Sequence, residues 1–404
     1  MSSTLSFLCI STYFKGNEFL RACKQAGNKV YLLTNKKLEF KPWVREYIDE
    51  LFYIEEKSDG SFDMNEIILG LAYMMRSRKI DRIVALDDFD VEKAAHLREH
   101  FRIPGMGQTT GRHFRDKLAM RMKAKEAGIR VPMFSSLFND NEIFEFTQKV
   151  QYPCVVKPRS EASATGIRKV YNSEQLWEVV HYLGDRRHDY LVEQFRPGDV
   201  FHVDSLSVQG DFVFTRASQY LSTPMEVAHG GGIFRSVTVP FDSADDRALR
   251  KINAEVMRAF GMNYSASHSE FIKDNETGEM IFLETASRVG GANLAEMVEA
   301  SSGINLWREW ANIETAVAKG EKYVLPPVEN SYAGIIISLV RQQYPDLMPF
   351  DAPEIYWRMH EEYHIGLVVK SESRERVIEI LDDYANKIFQ NFHASAPIRD
   401  RPMH

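Results

Sequence analysis

Two glutamates that could share one site lie in a single short stretch, SASHSEFIKDNETGEMIFLETASRVGG at 265–291. The turn formers DNETG at 274–278 separate two runs of strand-forming residues, so the stretch predicts a β-hairpin. If the turn is centred on that loop, Glu270 faces residue 282, and Glu284 lies two positions along on the same face. The pattern therefore predicts two carboxylates in one small space.

Two close carboxylates resist joint ionisation unless a positive charge lies between them. A divalent cation supplies that charge, and Mg²⁺ prefers a few protein carboxylates completed by water and substrate phosphates. Arg288 follows Glu284 on the same strand exit, where its guanidinium could hold a phosphate or a developing oxyanion. The alternative is an edge hairpin with solvated acids and a surface salt bridge.

Length and composition limit the classes of protein to consider. A chain of 404 residues predicts about two to four domains. The net charge of -7 argues against nucleic acid or an anionic membrane as the main partner. Cys9, Cys23 and Cys154 form no CxxC pair, which argues against a disulfide framework or a zinc site. With neither a secretory signal nor a membrane span in the pattern, the predicted location is cytoplasmic.

The first 105 residues alternate short apolar runs with helical segments, which predicts a parallel, doubly wound sheet. The segment KGN at 15–17 does not match the dinucleotide-binding fingerprint, so a nicotinamide site is disfavoured. The aspartates of DDFD at 87–90 follow a strand. We expect them to cap the next helix rather than bind a ligand.

Two lysines lie beside segments suited to phosphate binding. Lys117 is on a basic helix, and Lys157 ends the apolar strand CVVKP before the small-residue loop SEASATG at 160–166. Such a loop lets backbone N-H groups approach phosphates, and a lysine adds a point charge. The loop is not a P-loop, because GKS or GKT is absent and the chain returns as a strand. An ordinary hairpin is the alternative.

A glycine-rich segment and a linker follow. Residues 222–240 contain three consecutive glycines after Glu226 and His229, which predicts a mobile loop near a site. The alternative is that His229 is a loop histidine without a functional role. PPVEN at 326–330 is typical of a linker, and an α+β segment follows it.

Taken in order, these segments resemble the ATP-grasp fold, and most closely its carboxylate-amine ligases, including the amino-acid and dipeptide ligases. The resemblance extends over about residues 1–325. It implies a multidomain protein of α/β and α+β type. The implied parts are an N-terminal pre-ATP-grasp domain at 1–108, an ATP-grasp domain at 109–325 with a lid at about 130–193, and a small α+β domain at 331–404.

The resemblance also implies nucleotide-binding residues. Lys117 in RDKLAM and Lys157 in VVKP resemble the two phosphate lysines of the family. In LVEQF, Glu193 would accept from the adenine amino group, and the Phe195 backbone would contact the ring edge. The whole implied nucleotide set is Lys117, Lys157, Ser160, Ser163, Thr165, Gly166, Glu193, Gln194, Phe195, His202 and Asp204.

Metal and substrate positions follow in the same way. Glu270 and Glu284 resemble the magnesium-binding carboxylates of the family. Arg288 resembles the arginine that stabilises the acyl phosphate, and Lys157 is the second implied catalytic residue. The implied substrate contacts are Glu226, His229, Gly231 and Arg288.

Two positions depart from the family pattern. Val200 stands where many members have a ribose-binding glutamate, so His202 or Asp204 is expected to contact the ribose instead. Ala286 stands where many members have an asparagine beside the metal.

The implied reaction is ATP-dependent formation of an amide or peptide bond through an acyl phosphate, with release of ADP and phosphate. The expected cofactors are ATP and Mg²⁺, with Mn²⁺ able to replace Mg²⁺. The expected partners are a small carboxylate and a small amine, amino acids foremost, and a homodimer is allowed. Three alternatives stay open: a biotin-carboxylase-like enzyme, an ATP-binding module without catalysis, and a metal-dependent hydrolase using the acid pair.

Overall fold

The computed structural model describes residues 4–161 and 166–395, without the side chains of 228–230. Two predicted nucleotide-binding residues, Ser163 and Thr165, therefore lie outside the described residues. Within the described part, no helix combines the length and the apolar character that crossing a bilayer requires.

The first part of the chain alternates strands and helices as predicted. Its elements are β1 (Ser6–Ser11), α1 (Asn17–Gln25), β2 (Lys29–Asn35), β3 (Glu50–Ile54), α2 (Met64–Met75), β4 (Arg82–Ala85), α3 (Val91–Phe101), α4 (Gln108–Arg112) and α5 (Lys117–Glu126). The four strands form one parallel sheet in the order β3-β2-β1-β4. Helical crossovers allow this arrangement, because neighbouring parallel strands cannot be joined by a tight turn. Strand β4 is at the edge of the sheet.

A second, antiparallel sheet of four strands follows. Its elements are β5 (Phe134–Ser136), α6 (Asp140–Lys149), β6 (Cys154–Pro158), β7 (Arg168–Val170), α7 (Ser173–Leu183) and β8 (Tyr190–Gln194). The strand order is β5-β8-β6-β7. Apolar side chains of both helices, such as Ile143 and Leu176, pack with Val156 of the sheet in one core. This small core holds strand β6, and so Lys157, in place.

The largest sheet contains eight strands in the order β13-β12-β9-β10-β11-β14-β16-β15. The elements of this part are β9 (Gly198–Val208), β10 (Asp211–Tyr220), α8 (Pro224–Gly230), β11 (Phe234–Thr238), α9 (Ala244–Phe260), β12 (Ser265–Asp274), β13 (Met280–Ala286), α10 (Leu294–Ser302), α11 (Leu306–Lys319), β14 (Tyr332–Leu339), β15 (Ile355–Arg358), β16 (His364–Ser371) and α12 (Arg374–Asn391).

Segments on both sides of the predicted linker belong to this one sheet. Strand β14 pairs with β11, so that Phe234 lies beside Ile337. Helix α12 packs closely on β14, where a Cβ at Gly334 would lie 2.6 Å from Val377 Cγ1. The division at 326–330 stays a prediction about domains, and the structure joins the two segments by backbone pairing.

The predicted mobile loop at 222–240 is wrong for its first part, which is helix α8. Thr223 Oγ1 accepts from the Glu226 backbone N-H at 3.2 Å, and the Glu226 carboxylate accepts from the Thr223 N-H at 3.0 Å. This reciprocal capping box, with proline at the first helical position, is a strong signal for a helix start. Gly231 ends the helix with a φ of +64°, which favours glycine.

Candidate active site

The predicted acid-bearing hairpin is formed by β12 and β13, but its register differs from the prediction. Glu270 pairs directly with Glu284, and Phe271 pairs with Phe282. The expected offset of two positions is wrong because a β-bulge leaves Leu283 without an opposite residue. The two carboxylates therefore start from directly opposed positions, closer together than the sequence indicated.

Lys117 provides the positive charge beside this acid pair. Its Nζ lies 3.1 Å from Glu284 Oε2 and donates to the Glu161 carbonyl oxygen at 2.6 Å. Burial alone would raise the pKa of Glu284, but the charges of Lys117 and Lys157 outweigh it and hold that pKa below its usual value. Glu284 is therefore kept as a carboxylate, the form that can bind a cation.

Glu270 is held by a buried polar network that the sequence analysis did not predict. Tyr220 donates its hydroxyl to Glu270 Oε1 at 2.8 Å, and His268 Nε2 lies 3.7 Å from the same oxygen. Asp204 binds His268 Nδ1 at 2.9 Å and His202 Nδ1 at 2.8 Å. Burial alone would lower the pKa of His268, but Asp204 and Glu270 raise it to about 9. The available signal was a histidine two residues before an acid on each of two strands, His202 with Asp204 and His268 with Glu270.

His202 and Asp204, the predicted ribose contacts, have partners within the protein. Both side chains are fully buried. His202 Nε2 also bonds to Ser236 Oγ at 2.8 Å. His202, Asp204 and His268 each offer one atom that could bind a metal ion, but these hydrogen bonds already use the carboxylate oxygens and both Nδ1 atoms. The group therefore supports Glu270, and contact of His202 or Asp204 with ribose stays a prediction.

The Glu193 side chain has two charged partners that were not predicted from the sequence. Its carboxylate is 4% exposed and binds Lys157 Nζ with one oxygen and Arg121 Nε, at 2.9 Å, with the other. Contact between this carboxylate and an adenine amino group stays a prediction. Burial lowers the pKa of Lys157 to about 8, against the opposing charge of Glu193. Arg121 was not among the predicted residues, and its position one helical turn after Lys117 was the available signal.

In the segment LVEQF, two backbone N-H groups already donate hydrogen bonds within the protein and are not free to bind a nucleotide. The Gln194 N-H donates to the Met133 carbonyl at 2.8 Å, and the Phe195 N-H donates to the Pro153 carbonyl at 3.0 Å. Of the Phe195 backbone, only the carbonyl oxygen is therefore left for the predicted contact with adenine. Lys169 Nζ lies 3.8 Å from the centre of the Phe195 ring, a cation-π contact that the sequence did not indicate.

Arg288 has a buried nitrogen that is available to a ligand. Its Nη2 donates to Asp88, and its Nη1 donates to the Val289 carbonyl at 2.9 Å. Its Nε is buried and has no hydrogen-bond partner among the described residues. Buried donors are almost always satisfied, so an unsatisfied guanidinium donor indicates a place for an anion.

Asp88, which was predicted to cap the next helix, lies beside Arg288 instead. Asp87 does cap the next turn, accepting from the Phe89 N-H at 3.1 Å. Asp88 instead pairs with Arg288. Burial alone would raise the pKa of Asp88, but Arg288 and then Arg115 lower it to about 2. The carboxylate therefore fixes the guanidinium in place.

The remaining predicted residues are placed as follows. The Ser160 carbonyl accepts from Arg115 Nη2, and Gly166 has a φ of +71° on the other side of the undescribed residues 162–165. Glu226 caps helix α8, and the His229 side chain lies outside the described part. Substrate contact by these residues stays a prediction.

The opposed acids suit a divalent cation by their chemistry. Glu270 and Glu284 offer carboxylate oxygens from adjacent strands, the donor type that Mg²⁺ prefers. Ala286 pairs with His268 across the hairpin, so a small residue and an imidazole lie where the family pattern expects an amide. The fit to Mg²⁺ therefore rests on two carboxylates.

Sequence comparison places part of this chain in a known family. The family model described as D-ala D-ala ligase C-terminus matches residues 124–223. The L-arginine-specific L-amino acid ligase of Bacillus subtilis is 23% identical over 323 residues, covering 78% of this chain and 75% of that protein. The D-alanine--D-alanine ligase of Neisseria gonorrhoeae is 22% identical over 193 residues, covering 47% of this chain and 63% of that protein.

Solved structures share the whole architecture. The L-amino acid ligase of Bacillus licheniformis superimposes with a TM-score of 0.74 at 17% identity, covering 96% of this chain and 98% of that one. The biotin carboxylase domain of the Hydrogenobacter thermophilus 2-oxoglutarate carboxylase, solved with MgADP and bicarbonate, gives a TM-score of 0.70 at 18% identity, covering 97% and 91%. These likenesses confirm the predicted fold. Together with the sequence matches, they show that the chain has the ATP-grasp fold and is similar to carboxylate-amine ligases of that fold.

Proposed function

We propose that this ligase uses ATP and Mg²⁺ to join the carboxylate of an amino acid to the amine of a second small substrate, often another amino acid. The observation that carries the proposal is the opposed pair Glu270 and Glu284, with Lys117 beside it. The similarity to an L-amino acid ligase supports amino acids as the substrate class.

The proposed first step is transfer of the γ-phosphoryl group of ATP to the substrate carboxylate. A carboxylate is a poor electrophile, and phosphorylation converts one oxygen into a good leaving group. Lys117 and Lys157 offset the repulsion between the two reacting anions. Mg²⁺, which Mn²⁺ can replace, would be held by Glu270 and Glu284 and would neutralise phosphate charge.

In the second step the amine attacks the acyl-phosphate carbonyl. The carbonyl π electrons move to oxygen, and they return as the C-O bond to phosphate breaks. Arg288 Nε is the free buried donor that can stabilise this oxyanion, and Asp88 keeps the guanidinium oriented. The departing phosphate takes the proton that the amine nitrogen loses, which leaves the neutral amide.

Internal ion pairs hold the proposed phosphate lysines without a nucleotide. Lys157 is bound to Glu193, and Lys117 to Glu284 and the Glu161 carbonyl. Nucleotide phosphates would compete for Lys117 and Lys157 and leave Glu284 to the cation. This exchange keeps each buried charge partnered before and after ATP binds.

The test is formation of ADP and phosphate from Mg²⁺-ATP with pairs of amino acids, compared with each amino acid alone and with bicarbonate. We expect turnover only when a carboxylate and an amine are both present. Glu284→Gln should abolish turnover, while Glu276→Gln, in the exposed turn of the same hairpin, should leave it intact. Turnover with bicarbonate alone, or full activity of Glu284→Gln, would contradict the proposal. Sedimentation would test the proposed homodimer.

A further inference from the structure

A polar cavity of about 480 Å³ lies away from the acid pair. One wall is β4, the edge strand of the parallel sheet, and the opposite walls are the start of β12 and helix α11. Its volume falls in the range of pockets that hold small organic ligands, roughly 300–1,000 Å³. The cavity is therefore large enough for a molecule of amino-acid size.

The cavity walls carry more positive than negative charge. Arg82, Arg98 and Glu314 line it and are 8%, 9% and 5% exposed. Arg98 donates to the Ile83 carbonyl at 2.8 Å and to the Met106 carbonyl at 3.1 Å, which are neutral acceptors. Two buried cations thus face one acid, an arrangement that is costly unless an anion joins it.

The one acid does not satisfy Arg82. Glu314 Oε2 lies 3.9 Å from Arg82 Nε, too far for a hydrogen bond, and Glu314 Oε1 accepts from Trp310 Nε1 at 3.3 Å. Arg82 Nε is buried without a partner among the described residues. Burial raises the pKa of Glu314 to about 7, although Arg98 and Arg82 lower it. Near neutral pH the positive excess is therefore larger than a simple count suggests.

We propose that this cavity binds a small organic carboxylate, with its oxygens on the guanidinium side of the cavity formed by Arg82 and Arg98. A guanidinium matches the planar carboxylate with two parallel donors. Ile83, Val91 and Val317 line the same cavity and suit a short apolar body. The positive excess argues against a metal cation, and the buried Glu314 argues against a dianion such as phosphate.

The site is distinct from the proposed reaction site and does not rest on the ligase activity. Ser287 lines the cavity, but the side chain of the next residue, Arg288, bonds to Asp88 and to the Val289 carbonyl. Arg82 begins β4, whereas Asp88 follows its other end. An anion bound by Arg82 is therefore separable by mutation from one bound by Arg288.

The test is titration of the full chain, without ATP, with propionate and separately with inorganic phosphate. Isothermal calorimetry gives the affinity. The indole N-H resonance of Trp310, assigned with a Trp310→Phe variant, reports on binding in the cavity. We expect propionate to bind and to shift this resonance. Arg82→Met should weaken propionate binding by about tenfold or more, because a charged hydrogen-bond donor is lost.

Three further variants locate the site. Arg288→Met, at the reaction site, and Arg45→Met, an exposed control, should both keep wild-type affinity. If Arg82→Met does not fold, the double variant Arg82→Met/Glu314→Gln removes both charges together and should show the same loss. Absence of propionate binding to the wild type, tighter binding of phosphate, or binding that depends on Arg288 and not on Arg82 would overturn the proposal.

Discussion

Strand β4 has a buried arginine-carboxylate pair at each end, and the pKa values of the two acids are shifted in opposite directions. Beyond the C-terminal end, Asp88 bonds directly to Arg288, and its pKa falls to about 2. At the N-terminal end, Glu314 lies 3.9 Å from Arg82, and its pKa rises to about 7. Burial is the largest influence on both carboxylates and raises the pKa of each.

Direct contact between the charges explains the difference. Arg288 and Arg115 overcome the effect of burial at Asp88, whereas Arg98 and Arg82 do not overcome it at Glu314. The first pair can therefore fix an arginine for chemistry. The second leaves a guanidinium donor unused, which is why we assign a ligand to that end.

Removing the arginine from the reaction end should have the largest effect. Arg288→Met is expected to lower the rate of ADP formation by about 10²–10³-fold, the usual cost of losing one donor to an oxyanion. ATP binding, followed by thermal shift, should change little. Arg82→Met is the matched variant at the other end and should lose far less activity. Equal losses in the two variants would mean that the ends of β4 do not differ in role.

Glu314→Gln should change how stability depends on pH. The pKa of Glu314 is about 7 in the folded chain, against 4.5 for an ordinary glutamate in the unfolded chain. Its stabilising effect is therefore complete below pH 4.5 and is lost as pH rises through 7. The loss is about 3 kcal/mol. Glutamine cannot ionise and can still accept from Trp310. The midpoint temperature of thermal unfolding should therefore fall less steeply between pH 4.5 and 8 in the variant than in the wild type. Parallel curves of midpoint temperature against pH would contradict this.

Asp88→Asn should show the opposite pH dependence. The pKa of Asp88 is about 2 against the usual 3.8, so its stabilisation is complete above pH 3.8 and is lost as pH falls toward 2. The variant should be less stable at pH 7 by about 2 kcal/mol. The difference between the unfolding midpoint temperatures of the variant and the wild type should become smaller below pH 3.8. A difference that stays constant down to pH 3 would show that Arg288 does not lower this pKa.

The smallest effect is expected from the network around Glu270. Tyr220→Phe removes the 2.8 Å hydrogen bond to Glu270, a contribution of about 1 kcal/mol. The Mg²⁺ concentration for half-maximal activity should rise several-fold, with little change in kcat. Mn²⁺ binding followed by electron paramagnetic resonance should weaken equally. Tyr344→Phe, which removes an exposed bond to Glu362, is the control and should change neither.

Much of the fold could be predicted from the sequence because it depends on local pattern. Alternating strands and helices predicted the parallel sheet, and DNETG predicted the turn between β12 and β13. The register within that hairpin could not be predicted, because the bulge at Leu283 adds a residue without changing the hydrophobic pattern. The helix at 224–230 was predictable in principle, since its capping box is a sequence signal.

By itself the sequence determined the type and order of the elements and the identity of the charged residues they carry. Only the tertiary structure decided which of those charges meet. Glu193 binds Lys157 and Arg121, and Asp88 binds Arg288 across 200 positions of the chain. Pairing over such distances depends on which strands lie side by side and on how sheets and helices pack against each other. Burial then sets the energy of each pair, and no local pattern contains either quantity.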